Sequence, residues 1–172
     1  MLVLGIDPGY AIVGWGVVDY SGRGLSPVAF GAVTTQAGQD FPKRLLKISQ
    51  DIGNILDKYR VQAVAIERLY FNSNTTTAID VAQARGVIVL EAAKRNVDVF
   101  EYTPLQVKQS VVGYGKAEKK QVMEMTRQLL KLKEVPKPDD TADALAIAIC
   151  HAHSFNSQSY NLLKQIEKGA GK

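Results

Sequence analysis

Four acids stand where carboxylates can work together: Asp7, Glu67, Asp140 and Asp143. Asp7 closes the apolar run Leu2-Val3-Leu4-Gly5-Ile6 and is followed by Pro8-Gly9, a strand stop. Glu67 closes a second short apolar run, residues 61–66. Asp140 and Asp143 are three residues apart, so on a helix they share a face. Carboxylates brought together from two strand ends and a helix start suit hard divalent cations. Mg²⁺ binds through one or two carboxylates and keeps water and substrate phosphate as its other ligands. Two such ions about 3.5–4 Å apart activate water and stabilise the leaving oxygen in phosphodiester hydrolysis.

Each acid also has a plainer reading. Asp-Pro-Gly is a turn signal, and many strands end in a charged residue. Acids at a helix start cap it and suit its dipole. The helix behind Asp140 and Asp143 is nearly all Ala, Leu, Ile and Cys, which predicts burial all round. Its N-terminus must then lie close against a sheet, where an unpartnered Asp143 carboxylate is costly.

The elements that would position these acids follow from hydrophobic periodicity. Residues 2–6 and 12–19 read as strands joined by a short connection, hence antiparallel neighbours. Residues 27–34 suit a third strand. Phe41, Leu45, Ile48, Ile52, Ile55 and Leu56 recur at helical spacing and predict a helix over 40–59 with Asp40 as N-cap. A strand over 61–66, a helix over 75–96 and a strand over 97–102 follow. Residues 104–113 and 117–132 read as two helices parted by Gly113-Tyr114-Gly115, and 141–153 as the apolar helix. A three-strand meander followed by alternating strands and helices predicts an α/β fold. Its sheet is mixed and five-stranded, with helices on both faces. The later strands, each separated by a helix, should run parallel. If the strands ending at Asp7 and Glu67 are parallel neighbours, the two carboxylates emerge side by side.

The chain has 172 residues, enough for one domain with a good-sized core. The expectation is a single domain over residues 1–154 and a polar, flexible tail over 155–172. No apolar run is long enough to span a bilayer, and no basic region precedes the first apolar stretch as in a secretory signal. Cys150 is the only cysteine, so no internal disulfide forms. These features point to an intracellular, cytoplasmic protein without a membrane partner.

The net charge of +4 is unevenly spread. Residues 1–103 carry ten Lys/Arg and ten Asp/Glu, whereas residues 104–137 carry eight against three. A basic segment on a neutral body predicts a polyanion partner, with Lys108, Lys116, Lys119 and Lys120 as candidate contacts. A solvated helix surface is the alternative. Tyr70 and Phe71, just past Glu67, could stack on unpaired bases, although one of the two is expected to pack inward. Ala78, Ala82 and Gly86 recur every four residues, a spacing that allows close packing against the sheet or against a second subunit. His151 and His153, two apart on a helix, do not face one site and read as structural or surface residues. Cys150 reads as core.

Several motifs occur together in order: Gly5-Ile6-Asp7-Pro8-Gly9, Glu67, Ala82-Gln83-Ala84-Arg85-Gly86, Pro104-Leu105-Gln106-Val107-Lys108, and Asp140-Thr141-Ala142-Asp143-Ala144-Leu145-Ala146. The ordered set resembles the RuvC crossover-junction endonucleases, the bacterial Holliday-junction resolvases, over about residues 1–154. The resemblance implies a ribonuclease-H-like fold and a homodimer that nicks four-way DNA junctions with Mg²⁺ in recombination and repair. Two ions per site are expected, with Mn²⁺ able to substitute. It implies that Asp7, Glu67, Asp140 and Asp143 are the catalytic, metal-binding acids. Lys108 and Lys119 match basic positions near the DNA, and Tyr70, with Phe71 beside it, stands where a stacking Phe is common. The RuvA–RuvB branch-migration complex is an implied partner.

Two other readings compete. An actin-like ATPase also opens on an apolar strand, Asp and Gly, but needs two such domains. Its second phosphate loop has no match here, since Asp51-Ile52-Gly53 falls inside a predicted helix. A junction-binding protein without catalysis is the other, and the presence of all four acids argues against it.

Overall fold

The computed structural model of the chain describes residues 1–22, 24–69 and 75–169. Three strands, β1 (Leu2–Asp7), β2 (Ile12–Tyr20) and β3 (Leu25–Thr34), form an antiparallel meander. Strand β4 (Ala63–Glu67) runs parallel to β1, and β5 (Asp98–Tyr102) parallel to β4. The sheet order is β3-β2-β1-β4-β5, the expected five-stranded mixed sheet. Between the strands lie α1 (Phe41–Tyr59) and α2 (Thr75–Lys94), and after β5 come α3 (Pro104–Val112), α4 (Lys119–Leu129) and α5 (Asp139–Gly169).

Alternation along the central strands divides their side chains between two cores. Leu4, Ile6, Val13, Val17 and Val33 pack with Ile48 and Ile52 of α1 and with Ala84 and Ile88 of α2. Val3, Val18 and Ala65 pack on the opposite face with Leu145, Ile149 and their neighbours from α5, joined by Val107, Val111 and Val122 of α3 and α4. Helices therefore cover both faces, as expected.

Local signals explain the boundaries. Asp40 stands at the N-cap of α1, but its side chain makes no capping bond and its carboxylate pairs with Lys43 at 2.7 Å. Arg60 ends α1 in the left-handed region, its N–H donating to the Leu56 carbonyl. Helix α3 opens on a capping box, Thr103 with Gln106, and α4 on another, Glu118 with Gln121. The helix expected over 141–153 begins earlier, at Asp139, and continues to Gly169 through the polar segment that composition marks as a tail. Asp51 and Gly53 lie within α1, as the periodicity predicts.

Candidate active site

Asp7 and Glu67 are the last residues of two parallel neighbours, β1 and β4. The ladder pairs Ile6 with Ile66, so the next residues leave the sheet side by side. On its other edge β1 pairs Asp7 with Gly14 of β2. A Cβ on Gly14 would sit 1.9 Å from the Asp140 carbonyl oxygen, so only glycine admits the first turn of α5 at this point. The same holds one turn further along, where a Cβ on Gly5 would meet the Ala144 carbonyl oxygen at 2.0 Å. These bare positions let α5 lie directly on β1 and β2. Asp140 and Asp143, in its first two turns, are carried to the strand end that Asp7 occupies.

The electrostatics show that the four acids form one group. The Asp7 carboxyl is pushed up to about 8, first by burial and then by the negative charges of Glu67, Asp143 and Asp140. Burial and the charge of Asp143 also raise Glu67, while a hydrogen bond with Asp7 holds it down. Burial and the neighbouring charges thus favour the protonated form of Asp7, which hydrogen-bonds with Glu67. Lys119 stands at this cluster, its Nζ 2.8 Å from Asp143 Oδ2. That hydrogen bond raises Lys119 above the usual lysine range.

A cleft of about 260 Å³ opens beside the acids, lined by Glu67, Asp143, Lys108 and Lys119 over an apolar floor that includes Val107 and Val122. Lys108 rides on α3 and Lys119 on the first turn of α4, so the two capping boxes set where these cations stand. Lys116 and Lys120 are exposed nearby in sequence but do not line the cleft. Tyr70 and Phe71 lie outside the described residues.

Among the described residues, no three acidic, histidine or cysteine side chains are gathered tightly enough to grip one ion as they stand. The donor set nevertheless fits a hard divalent cation. The ligands are all carboxylate oxygens, and burial together with the neighbouring charges raises Asp7, a cost that a cation would relieve.

Three features of the site escape sequence reading. The glycines of β1 and β2 read only as strand residues, although glycine inside a strand is a known sign of close backbone approach. The Lys119–Asp143 pair joins two helices and leaves no local signal. The third is the Thr103-x-x-Gln106 capping box, whose spacing is a helix-start signature and which explains the position of Lys108. The histidines behave as read. His151 is buried, its Nδ1 hydrogen-bonded to Tyr102 at 2.8 Å, and His153 pairs with Ser110. Cys150 is core.

Comparison with known proteins places this arrangement. The family model described as crossover junction endodeoxyribonuclease RuvC matches residues 3–151. A protein of that name from Brevibacillus brevis is 59% identical over 152 residues, 88% of this chain and 92% of its own. Another, from Alkaliphilus metalliredigens, is 54% identical over 159 residues, 92% and 97% of the two chains. Among solved structures, Thermus thermophilus RuvC superposes with a TM-score of 0.86 at 36% identity, covering 92% of this chain and 97% of that one. T. thermophilus RuvC in complex with a Holliday junction substrate gives 0.84 at 34% identity, covering 91% and 96%.

Proposed function

The chain belongs to the RuvC family of crossover junction endodeoxyribonucleases, with its ribonuclease-H-like fold, and from that premise we propose that it resolves four-way DNA junctions by paired, symmetric nicks. The observation that carries this reading is the convergence of Asp7 and Glu67, from adjacent parallel strand ends, with Asp143 and Asp140 from α5. A non-catalytic junction binder has no use for four acids whose charges meet at Asp7.

Asp7, Glu67, Asp140 and Asp143 would hold the metal, Mg²⁺ on our reading, two ions per site, with Mn²⁺ able to substitute. A cation held by these residues would supply activation of a water and charge neutralisation at the leaving oxygen. The chain's own residues do the rest. Asp7 must give up its proton before its carboxylate can bind a cation, which makes cation binding favour higher pH. Lys119 neutralises Asp143 in the absence of a cation and stands in the cleft where it can pass to a phosphate oxygen. Lys108 lines the same cleft and would hold the strand's backbone. Lys116 and Lys120 extend this basic surface. Tyr70 and Phe71, by their place in the sequence after Glu67, are proposed to stack on bases at the crossover.

A second subunit follows from the substrate, because two nicks on strands of like polarity need two sites related by a two-fold axis. Helix α2 supports such an interface. Ile79 and Leu90 are 59% and 52% exposed, with exposed Gly86 between them on the same stripe. A Cβ on Gly86 would meet nothing within 4 Å, so its own chain does not require a glycine there. We place the protein in the cytoplasm, working with the RuvA–RuvB branch-migration complex. Among the described residues no helix is long and apolar enough to cross a membrane. Incubating the protein with a labelled four-way junction, with Mg²⁺ and then with chelator, tests the proposal.

A further inference from the structure

On the other face of the sheet end, a pocket of about 210 Å³ lies between α2 and β5, lined by Arg68, Leu69, Ala82, Arg85 and Glu101. It is one residue removed from the acids. Arg68 follows Glu67 directly, and its backbone N–H donates to the Tyr102 carbonyl at 2.8 Å, prolonging the β4–β5 ladder past the strand end. Two guanidinium groups face one carboxylate here, so the pocket carries an excess positive charge. Arg85 is only partly satisfied. One terminal nitrogen pairs with Glu101, its side chain is 20% exposed, and its Nε is buried without a partner among the described residues. A buried N–H left unpaired costs free energy, so the Glu101 contact alone does not satisfy this guanidinium. A guanidinium offers five donors in a planar fork, suited to two oxygens of one phosphate.

We propose that this pocket binds a backbone phosphate of the junction, on the strand that continues past Glu67 away from the lysine cleft. The inference rests on the junction-nuclease reading. In α/β sheets ligands gather outside the carboxyl ends of the strands. Lys108 and Lys119 flank Glu67 on the α5 face and Arg68 and Arg85 on the α2 face, so a strand laid across Glu67 meets cations on both sides. Glu101 holds the Arg85 fork in place through one terminal nitrogen, and the exposed part of the guanidinium is what a phosphate would meet.

The test is the salt dependence of junction affinity, measured by fluorescence anisotropy in chelator so that no cleavage occurs. Arg68→Gln and Arg85→Gln should each make the slope of log K against log salt shallower, and the double variant by about 0.9, the share of the one phosphate. Glu101→Gln should leave the slope unchanged or steeper and tighten binding, because it removes a negative charge beside the phosphate. If Arg85→Gln does not fold, Arg68→Gln decides, since Arg68 is exposed and takes no part in the tie to Glu101. Unchanged slopes in the arginine variants would overturn the proposal. So would a Glu101→Gln protein that loses affinity as Arg85→Gln does, which would make the pair a tie between α2 and β5. A wild-type protein that binds no junction would sink the nuclease reading and this inference together. Wild-type binding with unaltered variant slopes would sink this inference alone.

Discussion

Gly14 lies against the backbone of Asp140 so closely that a methyl group at position 14 would sit 1.9 Å from the Asp140 carbonyl oxygen. Because Gly14 is also the ladder partner of Asp7, this one contact fixes the distance between the strand that carries Asp7 and the helix that carries Asp140 and Asp143. Gly14→Ala must therefore push α5 off the sheet at the active site. Overpacking of this kind costs roughly 1–3 kcal/mol. The variant should melt several degrees lower and lose most of its cleavage, while a thermal melt still shows a cooperative transition. Wild-type cleavage by Gly14→Ala would mean that the seat of α5 does not set the acid geometry.

Asp7→Asn should abolish cleavage and spare junction binding. The loss should exceed the roughly 10–100-fold that changing a residue hydrogen-bonded to a metal ligand costs, because a ligand itself is removed while the basic surface stays. The same substitution has a stability signature. The Asp7 carboxyl titrates near 8 in the fold against 3.8 as a free side chain. Between those values the folded chain holds a proton that the unfolded chain has released, so without a cation stability falls as pH rises through that window. Asp7→Asn removes the falling limb. In chelator at pH 8 it should melt above wild type, by roughly 2–4 °C for each kcal/mol recovered, and its melting should vary less with pH. A variant that melts below wild type at every pH would assign Asp7 a folding role instead.

Replacing the stacking ring, Tyr70 or Phe71, by Ala should slow cleavage of a fully paired junction. Stacking a base on an aromatic ring is worth roughly 1–3 kcal/mol, enough to offset much of the few kcal/mol needed to unpair one. The defect should shrink when unpaired bases already sit at the crossover. Equal slowing on both substrates would make the ring a packing residue.

Gly86→Leu should yield a folded monomer that resolves junctions poorly, because the open space over Gly86 is where we place the partner helix. Sedimentation of the variant and wild type decides this. A fully active, dimeric Gly86→Leu protein would move the interface elsewhere on the surface.

The sheet and the convergence of the acids were legible because their signals are local. Apolar runs ended by Asp7 and Glu67 mark two strand ends, and an Ala- and Ile-rich helix behind Asp143 must be buried against them. That β1 and β4 are parallel neighbours was only a condition in the sequence, and the ladder between them supplies it. The seat of α5 was not legible in the same way. Gly5, Gly14 and Gly16 leave no mark on hydrophobic periodicity, and their meaning appears only when a helix backbone is laid on them. Lys119 read as one basic residue among several, because its partner Asp143 lies on another helix. The continuation of α5 to Gly169 was hidden by a polar composition that does not itself oppose helix formation.

The most direct test of the central claim is to incubate the wild-type protein with a four-way junction labelled on each strand in turn. The account predicts Mg²⁺-dependent nicks on two strands of like polarity, at symmetric positions, that ligase reseals and chelator prevents. Binding without nicks in Mg²⁺ or Mn²⁺, or cleavage that persists in chelator, would contradict it.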